Sequence, residues 1–249
     1  MRLTTSIRRR LASLARSVPN VDLRERAHML HIGKTGGTAV KTALGPHVTL
    51  GRYDIRLHPH TVGLRDIPAG EKVFFFLRDP ISRFVSGFLS RKRQGRPRYN
   101  SPWSAAEKKA FTKFATPNEL ASALAHSEDH VRQTAVTAIR GIRHVNASYW
   151  DWFESPEYFR SRLDAILFVG FQETLDADFE RLKVLLDLPS GLLLPTDAVN
   201  AHKNPFAAQQ EMDSSARAAL EDWLARDYEF IDLCTALLPQ PRRAGRVDV

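Results

Sequence analysis

Between His28 and Thr38 the chain reads H-M-L-H-I-G-K-T-G-G-T, a lysine, two threonines and three glycines set behind the short apolar run Met29 to Ile32. A buried strand that breaks into a glycine-bearing loop and then a helix turns backbone N–H groups and the helix N-terminus toward one point, which suits an anion. Lys34 adds a mobile point charge, the form in which lysine serves phosphate chemistry. The loop is therefore expected to hold a phosphate through Lys34, Thr35, Gly36, Gly37 and Thr38. An ordinary strand-to-helix turn would account for the glycines but not for the lysine and threonines around them. The ATPase and kinase loop G-x-x-x-x-G-K-[ST] shares Gly33-Lys34-Thr35, yet its first glycine would fall at position 28, which is His28.

A second segment, V-F-F-F-L-R-D-P-I-S-R-F-V-S-G-F from Val73 to Phe88, carries a matching function. Its continuous apolar run predicts a strand from Val73 to Leu77 in the middle of a parallel sheet. Asp79 is a good N-cap and Pro80 a good first helical residue. The helix that follows carries Ile81, Phe84, Val85, Phe88 and Leu89 as one buried stripe, and Ser86 falls off it. An arginine at the strand tip above a serine on the open helix face suits a second anionic group. For Arg78 alone, a structural salt bridge reads equally well.

Together the two segments resemble the 5′-phosphosulfate loop and the 3′-phosphate motif of the sulfotransferases, in the form of the branch that includes heparan sulfate 2-O-sulfotransferase and bacterial relatives. The similarity continues through G-F-Q-E-T-L-D-A-D-F-E-R-L at Gly170 to Leu182. It departs at Gly33, where the family commonly has proline. That change costs loop rigidity and removes no ligand-binding side chain. The resemblance implies an α/β, P-loop-like three-layer fold, with a central parallel sheet flanked by helices. It implies 3′-phosphoadenosine 5′-phosphosulfate (PAPS) as co-substrate, a hydroxyl acceptor such as a sugar or glycolipid, and no metal. Lys203, in the late V-N-A-H-K-N-P-F segment, stands where the family closes a loop over the nucleotide.

Transfer to a hydroxyl needs a group to take its proton, and histidine titrates near neutrality. L-H-P-H supplies His58 and His60 just ahead of the Val73 strand, an H-x-H pair like that of the 2-O-sulfotransferase branch, whose second member implies His60 as base with His58 beside it. Surface loop histidines are the plain alternative. A metal site is poorly supported without a nearby cysteine or an H-E-x-x-H pattern. The other histidines, among them His28, His31 and His144, read as structural.

These residues must be positioned by the rest of the 249-residue chain, which is 43% hydrophobic and 26% charged, enough for a packed core. Residues 1–20 form a basic segment, helical by the spacing of Leu3, Ile7, Leu11 and Leu14 or disordered, with weak membrane-surface contact as its alternative. Residues 21–240 are expected to form a single domain and 241–249 a tail. No apolar run approaches the roughly 20 residues of a membrane span, and the single Cys234 allows no internal disulfide, so cytoplasmic residence is the default. The net charge of +8 fits an anionic ligand, and without an RRM, KH or zinc-finger pattern no nucleic-acid partner is expected. Arg91 to Arg98 reads as a solvated basic loop, with a substrate-binding loop as its alternative. The segment 104–159 reads as mostly helical, with Tyr149, Trp150, Trp152 and Phe153 as core before sugar-stacking. A strand over 165–171, a helix over 175–186 and one last helix over 214–238 complete the pattern. Two further functions stay open at this level: a nucleotide kinase or NTPase, and a non-catalytic nucleotide- or polyanion-binding protein.

Overall fold

The computed structural model describes residues 24–45, 49, 51–196 and 212–237. In chain order these form β1 (Glu25–Met29), α1 (Gly37–Leu44), β2 (Tyr53–Leu57), β3 (Lys72–Leu77), α2 (Pro80–Lys92), α3 (Ala105–Lys113), α4 (Pro117–Leu124), α5 (Asp129–Gly141), α6 (Trp150–Phe153), α7 (Pro156–Ser161), β4 (Ile166–Phe171), α8 (Leu175–Leu186), α9 (Ser214–Trp223) and α10 (Ala225–Leu237). The four strands make one parallel sheet in the order β2-β1-β3-β4. Met29 pairs with Leu57 on one side and Phe74 on the other, and Leu77 pairs with Phe171.

This order reverses between β1 and β3. The chain leaves β1 outward for β2, then returns across β1 to β3 and β4. At such a reversal the loops after the two inner strands diverge, and a crevice opens outside their carboxyl ends. The two anion motifs are those two loops.

Helices cover both faces, which gives three layers. Phe74 and Phe76 of β3 pack on one face with Val40 and Leu44 of α1 and Phe179, Leu182 and Leu186 of α8. Val73, Phe75 and Leu77 point the other way, into Tyr149, Trp150, Trp152, Phe153, Phe159 and Phe230. A strand buried on both faces has no polar side to show, which explains three consecutive phenylalanines. The aromatics of the 149–153 stretch are core: Tyr149 and Phe153 are fully buried. A third cluster joins the stripe of α2, Ile81 to Leu89, to α3, α4, α5 and α9.

Three features depart from the sequence reading. Residues 53–57, for which the sequence pattern names no element, form the edge strand β2; Tyr53, Asp54 and Ile55 are buried and Arg56 is exposed, so this short strand shows no clean two-residue alternation. The last helix is two, interrupted at Leu224, because Leu220 and Leu224 bury into the helical cluster whereas Phe230 and Cys234 bury against the sheet. The Arg91–Arg98 run is not uniformly solvated: Arg91 is 1% exposed and donates through Nε to Glu107 at 2.6 Å. No helix among the described residues is long and apolar enough to cross a membrane.

Candidate active site at the strand ends

The first loop is shaped by backbone conformation before any side chain acts. Lys34 and Gly36 both take left-handed angles, φ 71° and 84°, and Gly36 is the N-cap of α1. Such alternation gathers successive N–H groups into an anion-binding concavity at a helix N-terminus. Gly37 is required sterically, because a Cβ there would come within 2.7 Å of the His31 ring. Thr35 is buried and donates its hydroxyl to the Ile32 carbonyl at 3.1 Å, so its side chain braces the loop from behind.

The opposite wall is the start of α2. Asp79 caps the helix by accepting from the Ser82 amide at 2.7 Å, and Pro80 occupies its first turn, as the sequence predicts. Tyr149 clamps the peptide of Arg78 from both sides, accepting from its N–H at 3.1 Å and donating to its carbonyl. The guanidinium is thereby held at the strand tip, and its buried Nε has no hydrogen-bond partner among the described residues. Glu173, on the turn after β4, accepts from the Asp79 amide at 2.9 Å.

Arg83 ties the two walls together. It is 3% exposed, donates to the Gly33 carbonyl at 3.1 Å and pairs with Asp227 of α10 at 3.3 Å, and its guanidinium lies over the Tyr149 ring. Asp227 also accepts from the Ser148 hydroxyl and the Tyr149 amide, at 2.6 and 2.8 Å.

Between the walls lies a cleft of about 350 Å³ lined by Lys34, Gly36, Gly37, Thr38, His60, Arg78 and Ser86 of the expected set, and also by His31, Ala39, Arg98, Tyr99, His144 and Gln172. Thr35 and His58 do not line it, and Lys203 lies outside the described residues. Among the described residues, three basic side chains and three imidazoles line the cleft, and no carboxylate does. Among the described residues no group of three His, Cys, Asp or Glu side chains is placed to hold a metal ion.

The two histidines of H-P-H face different ways. His60 stands at the mouth with Nδ1 2.7 Å from the His31 carbonyl. A carbonyl can only accept, so Nδ1 carries the hydrogen and Nε2 keeps its lone pair. Burial, with the cations Lys41 and Lys34 nearby, lowers the His60 pKa although the bond to His31 opposes that shift. The imidazole is neutral at pH 7. His58 turns instead to His28, 2.7 Å away, whose other nitrogen meets Glu71. With Glu71 ionised, His28 donates to it and accepts from His58, which fixes all three groups. Burial lowers the Lys34 pKa to about 7, with Arg78 and Arg93 adding to the shift.

His31 and His144 were read from sequence as structural, and both line the cleft. His31 sits in the apolar run two residues before Gly33, where it reads as part of the strand, and His144 arrives from the turn after α5. The sequence carries no local signal for His144. No protein-family model matches the chain, and no curated protein matches it, which leaves the chemistry of this cleft to its own geometry.

Proposed function

We propose that the protein is a PAPS-dependent sulfotransferase that moves a sulfuryl group to a hydroxyl acceptor, a carbohydrate or glycoconjugate. One observation carries this reading. A glycine loop at a helix N-terminus, an arginine–serine pair and a neutral histidine converge on one cleft whose lining, among the described residues, has three basic side chains and no carboxylate. The residues fit the nucleotide: the loop amides and Lys34 suit its 5′ end, and Arg78, with an unpartnered buried Nε, suits a 3′-phosphate together with Ser86. A Mg-nucleotide kinase needs an acidic strand end, and here the tips carry Arg78 and Phe171-Gln172.

When bound, the donor supplies a sulfuryl group on a phosphate leaving group. His60 accepts the acceptor's hydroxyl proton at Nε2 as the hydroxyl oxygen bonds to sulfur. Lys34 holds positive charge where the departing phosphate oxygen becomes negative. Arg78 and Ser86 hold the nucleotide at a distance from the reacting centre, so that binding there positions the donor without touching the bond that breaks.

Incubation of the purified protein with radiolabelled PAPS, Mg-ATP and a panel of sugar and lipid hydroxyl acceptors tests it. Label is expected on an acceptor with ATP unchanged. Consumption of ATP would assign a kinase, and tight nucleotide binding without transfer to any acceptor would assign a binding protein.

A further inference from the structure

His144 belongs to no motif, yet the fold brings it to the floor between both of them. Its backbone is left-handed, φ 68°, a conformation uncommon for residues with a side chain. The flanking residues hold it there. Ile142 and Val145 are buried in the helical cluster, and Arg143 reaches Glu107 through its backbone N–H and Nε at 3.3 and 3.4 Å. Two glycines make room for it. A Cβ on Gly33 would meet His144 Nδ1 at 3.4 Å, and a Cβ on Gly87 would press on the His144 backbone at 3.2 Å. The imidazole thus lies between the phosphate loop and the helix turn that carries Ser86, and it lines the cleft beside Lys34.

A histidine placed for packing would be expected to bury its ring and satisfy its nitrogens. This ring makes an edge contact with His60, centroids 6.1 Å apart, and no hydrogen bond among the described residues. Burial and the neighbouring Lys34 push its pKa down to about 3, so the ring is neutral. A neutral imidazole has one N–H to give. Strain persists at positions where the surrounding structure enforces it, and it concentrates where a group is presented to a ligand.

We propose that His144 is a hydrogen-bond donor to the anionic group bound between the two motifs, and that its enforced left-handed backbone is what aims it there. This rests on reading the cleft as an anion site. It makes the turn after α5 a third element of the binding site.

The test uses substitutions that separate strain from ligand contact. His144→Gly relaxes the backbone and deletes the donor; His144→Asn keeps an N–H on a residue that tolerates left-handed angles. The melting temperature and the affinities for 3′-phosphoadenosine 5′-phosphate and for inorganic phosphate are measured for each. His144→Gly is expected to melt at the wild-type temperature or above it while binding the nucleotide about ten-fold more weakly, the scale of one hydrogen bond to a charged group. His144→Asn should recover part of the loss. Wild-type affinity in His144→Gly would overturn the proposal. So would stability falling in step with affinity, or an Asn variant no better than the Gly one. If the wild type binds inorganic phosphate but not the nucleotide, and the variants still rank this way, the sulfotransferase reading fails and the role of His144 stands. If the wild type binds neither, both fall.

Discussion

The two walls of the cleft are built on opposite plans. On the Arg78 side most neighbouring polar groups are engaged, Arg78 Nε and Arg83 Nη2 being buried exceptions among the described residues: Tyr149 grips the Arg78 peptide, Asp79 caps α2 and also accepts from Tyr228 at 2.9 Å, and Arg83 joins Gly33 to Asp227. On the His60 side His60 Nε2 and the His144 ring make no hydrogen bond among the described residues, and Lys34 and His144 both sit at left-handed angles. The difference separates two jobs. On the proposed function, the wall that would hold a phosphate benefits from being locked, whereas the imidazole that would take a proton needs its Nε2 open until the acceptor arrives.

The sharpest way to break this contrast is at His60. His60→Ala should leave nucleotide affinity near wild type and lower turnover by roughly 10²–10⁴-fold, as for other lost acid–base groups. Because the His60 pKa is lowered, the proposed base is neutral above it, so kcat/KM should rise with pH through a limb below the usual histidine range and fall again above about 7 as Lys34 loses its proton. The rising limb should vanish in the variant. His58→Ala should be milder, since His58 is committed to His28. A larger effect at His58 would exchange the two roles.

The locked wall should show itself in stability. Arg83→Met leaves the buried Asp227 carboxylate without its cation, and breaking a buried pair costs about 3–5 kcal/mol. Urea denaturation measures it, and the double variant with Asp227→Asn, which removes the charge and keeps an acceptor for the Ser148 hydroxyl and the Tyr149 amide, should recover much of the loss. A change below about 1 kcal/mol would show that Arg83 does not brace the wall.

Lys34→Ala should lower kcat by roughly 10²-fold while affecting nucleotide binding less, because charge on the leaving oxygen grows only in the transition state. Loss of affinity with kcat intact would make the lysine an anchor.

The smallest effect is a proton. With a free-state pKa of about 7, Lys34 is partly neutral without ligand, and a bound phosphate favours the ammonium form. The complex therefore binds more protons than the free protein between that value and its raised value in the complex, and affinity should weaken as pH rises from 7 to 9, by at most about ten-fold per pH unit. Calorimetry in two buffers of different ionisation heat should show proton uptake near pH 8. Lys34→Arg, charged throughout, should abolish it. Uptake that survives in Lys34→Arg would place the titrating group elsewhere.

What the sequence determined by itself was local. The glycine loop, the Asp79-Pro80 helix start and the three-phenylalanine strand each depend on residues within a few positions of one another, and propensity, capping and periodicity act over that range; α8 follows its expected bounds. The weakly patterned edge strand β2 was not legible, nor was the break at Leu224, because each depends on which neighbour covers it. The assembly of the site was decided by tertiary structure alone. Strand order set the two anion loops on either side of one crevice. Packing against β3 turned Tyr149 onto the Arg78 peptide from 71 positions away, and α10 brought Asp227 to Arg83 across 144. His144 entered the cleft because the helical cluster holds Ile142 and Val145 on either side of the Arg143-His144 pair, and Arg143 is tied to Glu107. Contacts over such separations are won by burial of distant apolar surface, and burial leaves no mark in the few residues on either side of the side chain it places.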